Sequence, residues 1–292
     1  MSAVGNVRVA ASAPATNAAA LAALLSRKGA VRVAAVPPNV LDALSDGHIA
    51  SVNLVEFLAL DLARLAGSVA LHIDLEPDAQ RLADTLAMLP DLKPMKRHGQ
   101  IARALYDLAA THPDRDAVAH ALAAHPSDTA RCWAAQWIGF AGLDLRAQLA
   151  AVRRFAADPH FGVREIAWMT VRSAVVAEPD RAIELLVPWT AEPDANLRRF
   201  ASELTRPRGV WCAQIERFKT EPWRGLPLLD PLRADPSRYV QNSVANWLND
   251  AAKSQPRWVE SVCERWQAAS AAPPMPATQY IVRRARRSAA AA

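Results

Sequence analysis

Apolar positions recur with helical spacing along most of the chain. In one stretch, Val163, Ala167, Thr170 and Ala174 follow one another at intervals of three or four residues, so they share one face of a helix. Runs of β-branched residues bounded by turn residues are scarce, and the 21 prolines lie mainly between the helical segments. The pattern therefore predicts an all-α protein.

Helix boundaries follow from caps, glycines and prolines. Helices are predicted over 17–25, 37–44, 54–70, 77–89, 99–110, 115–124, 127–140 and 145–156, followed by helical repeats up to Trp266 and a basic helix over 278–287. Residues 1–36 are predicted to form a partly disordered N-terminal segment, 37–288 a single solenoid (N-terminal helices 37–94, basic repeats 95–288), and 289–292 a frayed tail.

One sequence motif occurs three times in the repeat region. The copies are DPHFGVREIA (158–167), EPDANLRRFA (192–201) and DPSRYVQNSV (235–244), and a fainter copy lies upstream at 128–134. The acid and the proline close one helix and begin the next, because the missing N–H of proline costs nothing in a first helical turn. Spacings of 34 and 43 residues are typical of stacked helix pairs, so the motif predicts a HEAT-like helical-repeat solenoid.

A second face of each repeat helix is polar. In the first copy it consists of Glu165, Trp168 and Arg172; the equivalent positions are Arg199, Ser202 and Arg206 in the second copy, and Asn242, Ala245 and Asn249 in the third. This recurring polar stripe is the predicted working surface. Exposed aromatic rings beside cations stack on bases, so Trp168 and Trp133 are predicted to contact a base or sugar.

Charge is distributed unevenly along the chain. Residues 1–91 contain 6 Lys and Arg against 9 Asp and Glu, whereas residues 92–292 contain 28 against 20. Arginine greatly outnumbers lysine, and its planar fork suits bidentate contact with phosphate. Codon bias is an alternative cause of the arginine excess, but it does not explain why the positive charge lies in the repeats.

Two further segments are candidates for binding. Arg206 and Arg208 flank Pro207 at a predicted helix end. Two roles are open for them: binding a phosphate, or donating hydrogen bonds to the last carbonyls of the helix. The third copy has an amide-rich edge at Asn242, Asn246, Asn249 and Asp250. Amides form helices poorly, so these side chains are predicted to bind a partner or a neighbouring repeat.

Several classes of site have no sequence signature. Histidines do not cluster, no glycine-rich phosphate loop or metal-ligand spacing occurs, and no nucleophile–base pattern is readable, so we expect no metal, cofactor or nucleotide. The three distant cysteines indicate reduced thiols in a cytoplasmic protein. There is neither an 18-residue apolar span nor a signal peptide, so we expect no membrane association. The protein is also expected to be a monomer.

Four segments resemble the AlkC/AlkD-type DNA alkylation repair proteins. They are DPHFGVREIAW (158–168), ASELTRPRGVW (201–211), DPSRYVQNSVANWLNDAAK (235–253) and PATQYIVRRARR (276–287). The resemblance is greater to the AlkC branch and extends over about residues 37–288. It implies a basic concave surface around duplex DNA, and excision of alkylated, cationic bases such as 3-methyladenine without full base flipping.

The resemblance also implies residue roles. Glu165 matches a carboxylate near the damaged nucleotide, Arg172 and Arg206 match arginines on the same lining, and Arg208, Asn246 and Asn249 match the DNA-facing ends of the repeats. Arg164, Arg198, Arg199 and Asn242 complete the set of predicted DNA contacts. The alternative for Glu165 is a solvated glutamate stabilised by the helix dipole.

The leading hypothesis for function is a DNA glycosylase with Glu165 as its catalytic carboxylate. The second hypothesis is a non-catalytic module that recognises damaged or branched DNA by its backbone, and the third is a protein-binding scaffold. Family enzymes have a second carboxylate one repeat earlier, but residues 133–140 contain none, which favours the second hypothesis over the first. The basic repeats argue against the third. Asp250 is the next candidate carboxylate.

Overall fold

The computed structural model describes residues 18–75, 79–88, 94–209, 212–271 and 273–287. Seventeen α-helices and no β-strand lie within these ranges, where a single bridge joins Ala271 to Pro274. The predicted all-α helical-repeat fold is confirmed. The predicted disordered start at 1–16, most of the linker at 90–94 and the tail at 289–292 fall outside the described residues, and the division into domains remains a prediction.

The helices follow one another with short connections. The first five are α1 (Ala18–Leu25), α2 (Pro38–Ser45), α3 (Leu54–Ala59), α4 (Leu62–His72) and α5 (Ala79–Ala87). The next six are α6 (Pro94–Ala109), α7 (Arg115–Ala123), α8 (Asp128–Phe140), α9 (Leu145–Ala156), α10 (Phe161–Ala177) and α11 (Pro179–Leu186). The last six are α12 (Ala195–Leu204), α13 (Glu216–Thr220), α14 (Leu226–Leu232), α15 (Arg238–Ala252), α16 (Pro256–Ala269) and α17 (Pro276–Ala285).

The helix predicted over 54–70 is in fact two helices. Asn53 caps α3 as expected, because its side chain accepts the N–H of Glu56. Leu60 is extended, with a ψ of 150°, and the Asp61 carboxylate accepts the N–H groups of Ala63 and Arg64. A side-chain cap offers the backbone an alternative to continuing the helix. Asp61 therefore ends one helix and begins the next.

The repeat region has two layers. Helices α6, α8, α10, α12, α15 and α17 lie side by side, each packed against the next, and we call them the motif layer because the helix that follows the acid–Pro turn in each copy of the repeated motif belongs to it. Helices α7, α9, α11, α14 and α16 pack behind them as the backing layer. Val163 and Ala167 of the predicted apolar face are fully buried, as the helical spacing predicted.

Arginines of the motif connect successive repeats. Nη1 of Arg131, Arg164 and Arg198 donates to two carbonyls of the turn that precedes its own helix. Arg131 and Arg198 also form two-pronged ion pairs with Asp158 and Asp235, the acids that open the next described copies of the motif. The repeated spacing of acid and arginine thus stabilises the stack through Arg131 and Arg198. This corrects the expectation that Arg198 is free to contact DNA.

Two buried histidines predict that stability depends on pH. Burial lowers the pKa of His98 to about 4, and burial together with nearby His72 lowers that of His125 to about 4. Because an unfolded histidine titrates near 6.5, the unfolded state binds more protons between these values, and stability falls as pH falls through that window. Urea unfolding at pH 5 should give a free energy lower than at pH 7 by about 1–2 kcal/mol per histidine.

His98→Phe tests this assignment. His98 stacks on Phe57 with ring centroids 4.6 Å apart, so phenylalanine preserves the apolar contact and removes one titrating group. The variant should lose about half of the pH dependence. A variant whose stability changes with pH as much as that of the wild type would contradict the role of His98.

Candidate functional site

Glu165 lies near the start of α10 with both carboxylate oxygens held. The helix begins after His160, whose ring accepts the N–H of Gly162. Oε1 of Glu165 accepts a hydrogen bond from Nη2 of Arg199 at 2.6 Å, and Oε2 accepts one from Nε1 of Trp168 at 2.7 Å. The Glu165 side chain is still 38% exposed. The carboxylate is therefore fixed in orientation and open to solvent on one side.

Glu165 is the solvent-facing end of a row of alternating charges. Arg199 lies 3.5 Å from Glu203, and Glu203 accepts a 2.7 Å hydrogen bond from Arg206. Arg206 in turn forms an ion pair with Asp250 at 2.8 Å. We call these five residues the charge chain. It connects α10, α12 and α15 across the motif layer.

The inner members of the charge chain depend on one another. Burial raises the pKa of Glu203, but Arg199 and Arg206 outweigh this effect and hold the pKa below its usual 4.5. Burial raises the pKa of Asp250, and its ion pair with Arg206 only partly offsets the shift. Removing a charge from water costs several kcal/mol unless an opposite charge replaces the lost hydration. The alternation of signs therefore allows this row to be buried.

Glu165 is also the sole carboxylate with an exposed surface on five helices of the motif layer. Helices α8, α10, α12, α15 and α17, all of whose side chains are described, contain four carboxylates. Asp128, Glu203 and Asp250 are buried, and Asp128 accepts hydrogen bonds from the backbone and the hydroxyl of Ser51. Asp250, the second candidate from the sequence, is thus 4% exposed and already paired.

The tryptophans predicted to stack on a base are buried. Trp168 is 4% exposed and Trp133 is fully buried, so the prediction that these rings face a nucleotide is wrong in this conformation. Their faces are covered because α8, α10 and the neighbouring helices pack side by side in the motif layer. Trp168 contributes to the site in another way, since its indole N–H holds Glu165.

Arg172 is also internal. It is 2% exposed and donates to the carbonyls of Leu204, Arg206 and Ala213 around the end of α12. A cation at a helix C-terminus stabilises the unpaired carbonyls there, and burial lowers the pKa of this guanidinium. The expectation that Arg172 contacts phosphate is therefore corrected: it stabilises the turn after α12.

The amide-rich edge of α15 faces the next repeat. Asn249 is buried and donates to the carbonyl of Ala285, which corrects its assignment as a surface contact. Asn242 accepts from the Tyr280 hydroxyl at 2.7 Å, and Asn246 accepts from Arg287 at 3.0 Å. Of the two alternatives left open by the sequence, the structure realises the contact with a neighbouring helix. Asn242 and Asn246 remain half-buried, and their contact with DNA remains a prediction.

A groove opens beside Glu165. Its volume is about 820 Å³, and it runs over α6, α8 and α10. Ile166 and Met169, which neighbour Glu165 on α10, line it together with Gly139 and Phe140 of α8. The lining also includes Lys96 and Arg103 of α6, so the groove near the exposed carboxylate has both apolar and positively charged parts.

Most of the arginines without an acidic partner are not the ones that the repeated motif predicted as DNA contacts. Arg199 and Arg206 pair with carboxylates, whereas Arg208 bonds only the Asp250 carbonyl and the Ser254 hydroxyl. From α8 onwards, the cations of the motif-layer helices and of the turns directly after them that are not buried and form no ion pair with a described residue are Arg164, Arg208, Arg238, Arg283, Arg284 and Arg287. The last four were missed as site residues, although four arginines between 283 and 287 made the segment visibly basic.

Among the side chains that the structure describes, no three His, Cys, Asp or Glu side chains lie together as metal ligands would. None of the described helices has the length and apolar character needed to cross a bilayer.

Comparison with known proteins supports the resemblance seen in the sequence. No protein-family model matches the chain. The uncharacterized protein YhaZ of Bacillus subtilis (strain 168) is 35% identical over 118 residues, which are 40% of this chain and 32% of YhaZ. The structure is similar to that of Pseudomonas fluorescens alkylpurine DNA glycosylase AlkC bound to DNA containing an abasic site analog. The TM-score is 0.63 and the identity 26%, over 78% of this chain and 62% of AlkC.

A second solved structure shows the same fold at lower similarity. AlkD2 from Streptococcus mutans matches with a TM-score of 0.54 and 21% identity, over 71% of this chain and 96% of that protein. The AlkC structure is the more similar of the two, in agreement with the sequence-based resemblance. The chain spans less than two thirds of the length of both YhaZ and AlkC.

Proposed function

We propose that this protein binds duplex DNA across the motif layer and releases alkylated purines, such as 3-methyladenine, by hydrolysis of the N-glycosidic bond. The observation that supports this most directly is the placement of Glu165, an exposed and doubly held carboxylate beside a groove. The similarity to AlkC, a glycosylase captured on DNA, supports the same reaction.

The chemistry needs little from the protein beyond this carboxylate. A 3-alkylated adenine already has a positive charge, so the electron pair of the C1′–N9 bond leaves with the base and neutralises it. Positive charge then develops on the sugar, where a fixed carboxylate stabilises it. Water adds to C1′ and loses a proton, and the exposed carboxylate of Glu165 is the group that accepts it in this proposal.

The geometry of Glu165 suits both tasks. Each carboxylate oxygen has two lone pairs, and one on each oxygen is occupied, by Arg199 and by Trp168. One acceptor position on each oxygen is left for a water molecule or for the charged sugar. Because the two bonds also fix the carboxylate, little reorganisation is required during the reaction.

The runner-up function is a non-catalytic module that recognises damaged DNA. The specific observation in its favour is that α8 contains one carboxylate, Asp128, which is buried and bonded to Ser51. The neighbouring helix therefore presents no second acid to the groove.

Release of free base from methylated duplex DNA tests the proposal. Purified protein in excess over the DNA should release 3-methyladenine, detected by chromatography, faster than buffer or heat-inactivated protein does. If the protein binds the duplex and releases no alkylated base of any kind, the glycosylase proposal fails and the non-catalytic module takes its place.

A further inference from the structure

The last helix presents arginines to two different sides. Arg286 reaches the backing layer, where it pairs with Glu260 and bonds Gln267 on α16. Arg283 and Arg287 lie one helical turn apart, are exposed, and form no ion pair with a described residue. A side chain held by a carboxylate has its charge satisfied internally, whereas Arg283 and Arg287 are available to an external anion.

Tyr280 holds two guanidinium groups in place on this face. Arg238, the first residue of α15, lies 3.6 Å from the centroid of the Tyr280 ring, and Arg283 lies 5.7 Å from it. The Tyr280 hydroxyl is in turn bonded to Asn242. Stacking on a ring restricts a long side chain before any ligand arrives, so less conformational entropy is lost on binding.

The positive charges of Arg283, Arg284 and Arg287 are not neutralised by an ion pair with any described residue. Burial and the neighbouring Arg284 lower the pKa of Arg287, and the charge of Asp250 offsets part of this shift. Nε of Arg284 is buried and has no hydrogen-bond partner. Like charges held close together without a carboxylate among them bind an anion more favourably than isolated surface arginines do.

Hydrogen bonds align this cluster with the face that contains Glu165. Tyr280 bonds Asn242 and Arg287 bonds Asn246, so this side of α17 faces the amide edge of α15. Asn242 occupies the repeat position of Arg199, and Arg199 occupies that of Glu165. The cluster therefore lies beyond Asn242 on the same face of the motif layer as Glu165, towards its C-terminal end.

We propose that Arg238, Arg283 and Arg287 form a phosphate clamp that binds the DNA backbone at a distance from the reacting nucleotide, on one side of it only. This rests on the proposed binding of duplex DNA. From α10 to α17 there are three helix-to-helix steps, so at 8–10 Å each the clamp lies on the order of 24–30 Å from Glu165. At 3.4 Å per nucleotide along a strand, that corresponds to about 7–9 base pairs.

Truncated duplexes test the clamp. The probe is a duplex with a stable abasic-site analogue and arms of about 5 or about 12 base pairs on either side, so that only the long arm reaches the clamp. Fluorescence anisotropy should show that shortening one arm weakens binding strongly, while shortening the other arm has little effect. Equal sensitivity to both arms would overturn the one-sided clamp.

A double variant identifies the residues. Arg283→Gln with Arg287→Gln should reduce the log–log slope of affinity against salt by about 1.8, since each phosphate contact contributes about 0.9. On the long duplex it should bind more weakly than the wild type and lose most of the affinity that shortening the clamp-side arm removes, since Arg238 alone remains. The matched control is Arg146→Gln with Arg257→Gln, two exposed backing-layer arginines that form no ion pair with a described residue. An unchanged slope in the clamp variant would overturn the proposal.

Base release separates this inference from the function on which it rests. At protein concentrations below saturation, the clamp variant should release alkylated base more slowly than the wild type, because it binds the duplex more weakly. If no duplex yields free base but the arm and salt effects appear, the clamp stands and the glycosylase proposal fails. If base is released and the clamp variant binds like wild type, the clamp alone is wrong.

Discussion

Glu165→Gln is expected to lower the rate of alkylated-base release about 10²–10³-fold, because loss of one aligned electrostatic group costs roughly 3–4 kcal/mol in the transition state. Glutamine preserves the shape of the side chain and can still accept one hydrogen bond, from Arg199 or Trp168. Binding to undamaged duplex should be unchanged or stronger, since a negative charge near the phosphates is removed. Single-turnover release of 3-methyladenine from methylated duplex measures the rate.

Glu178→Gln is the matched control for this prediction. Glu178 is exposed at the end of the same helix α10, and its side chain has no described partner. Its variant should release base at the wild-type rate. If Glu165→Gln also releases 3-methyladenine as fast as the wild type, Glu165 is not the catalytic carboxylate, and Asp250 becomes the residue to substitute next.

Glu203→Leu should lower the free energy of unfolding by about 3–5 kcal/mol, as removal of one member of a buried ion pair leaves its partners uncompensated. Glu203 is 7% exposed and contacts Arg199, Arg206 and the hydroxyl of Ser243. Leucine has a similar volume, so packing is largely preserved and the effect is electrostatic. Urea unfolding followed by circular dichroism measures the difference.

The same substitution at an exposed pair provides the comparison. Glu184 pairs with Arg181 on α11, and its side chain is 65% exposed. Glu184→Leu should change stability by less than about 1 kcal/mol, the usual value of a surface ion pair. Equal effects of the two substitutions would mean that burial does not strengthen the charge chain.

Much of the fold was determined by the sequence alone. The spacing of apolar residues predicted α9 with its observed ends, Leu145–Ala156, and the acid–Pro motif located the starts of the repeat helices. These features are local: a helical face, a cap and a proline act within about one turn, so neighbouring residues suffice to predict them. The break at Asp61 was missed because a capping side chain competes with a regular apolar pattern that continues through it.

The candidate site was determined only in part. Glu165 was identified from its position on the polar stripe, and the structure places it on the surface. Spacing alone did not distinguish it from Arg172, which lies on the same predicted face and is buried against carbonyls 32 to 41 residues away. A helical pattern gives the direction of a side chain but not the neighbour that covers it.

Only the tertiary structure decided which arginines are free. Arg199 and Arg206 meet carboxylates from other repeats, whereas Arg283 and Arg287 meet an aromatic ring and an amide. In the sequence all four are simply basic residues near helix ends. Coulomb interactions depend on distances across the packed layer, between residues far apart in the chain. The sequence therefore determined that this region is basic, and the packing of the helices determined where its charge remains available.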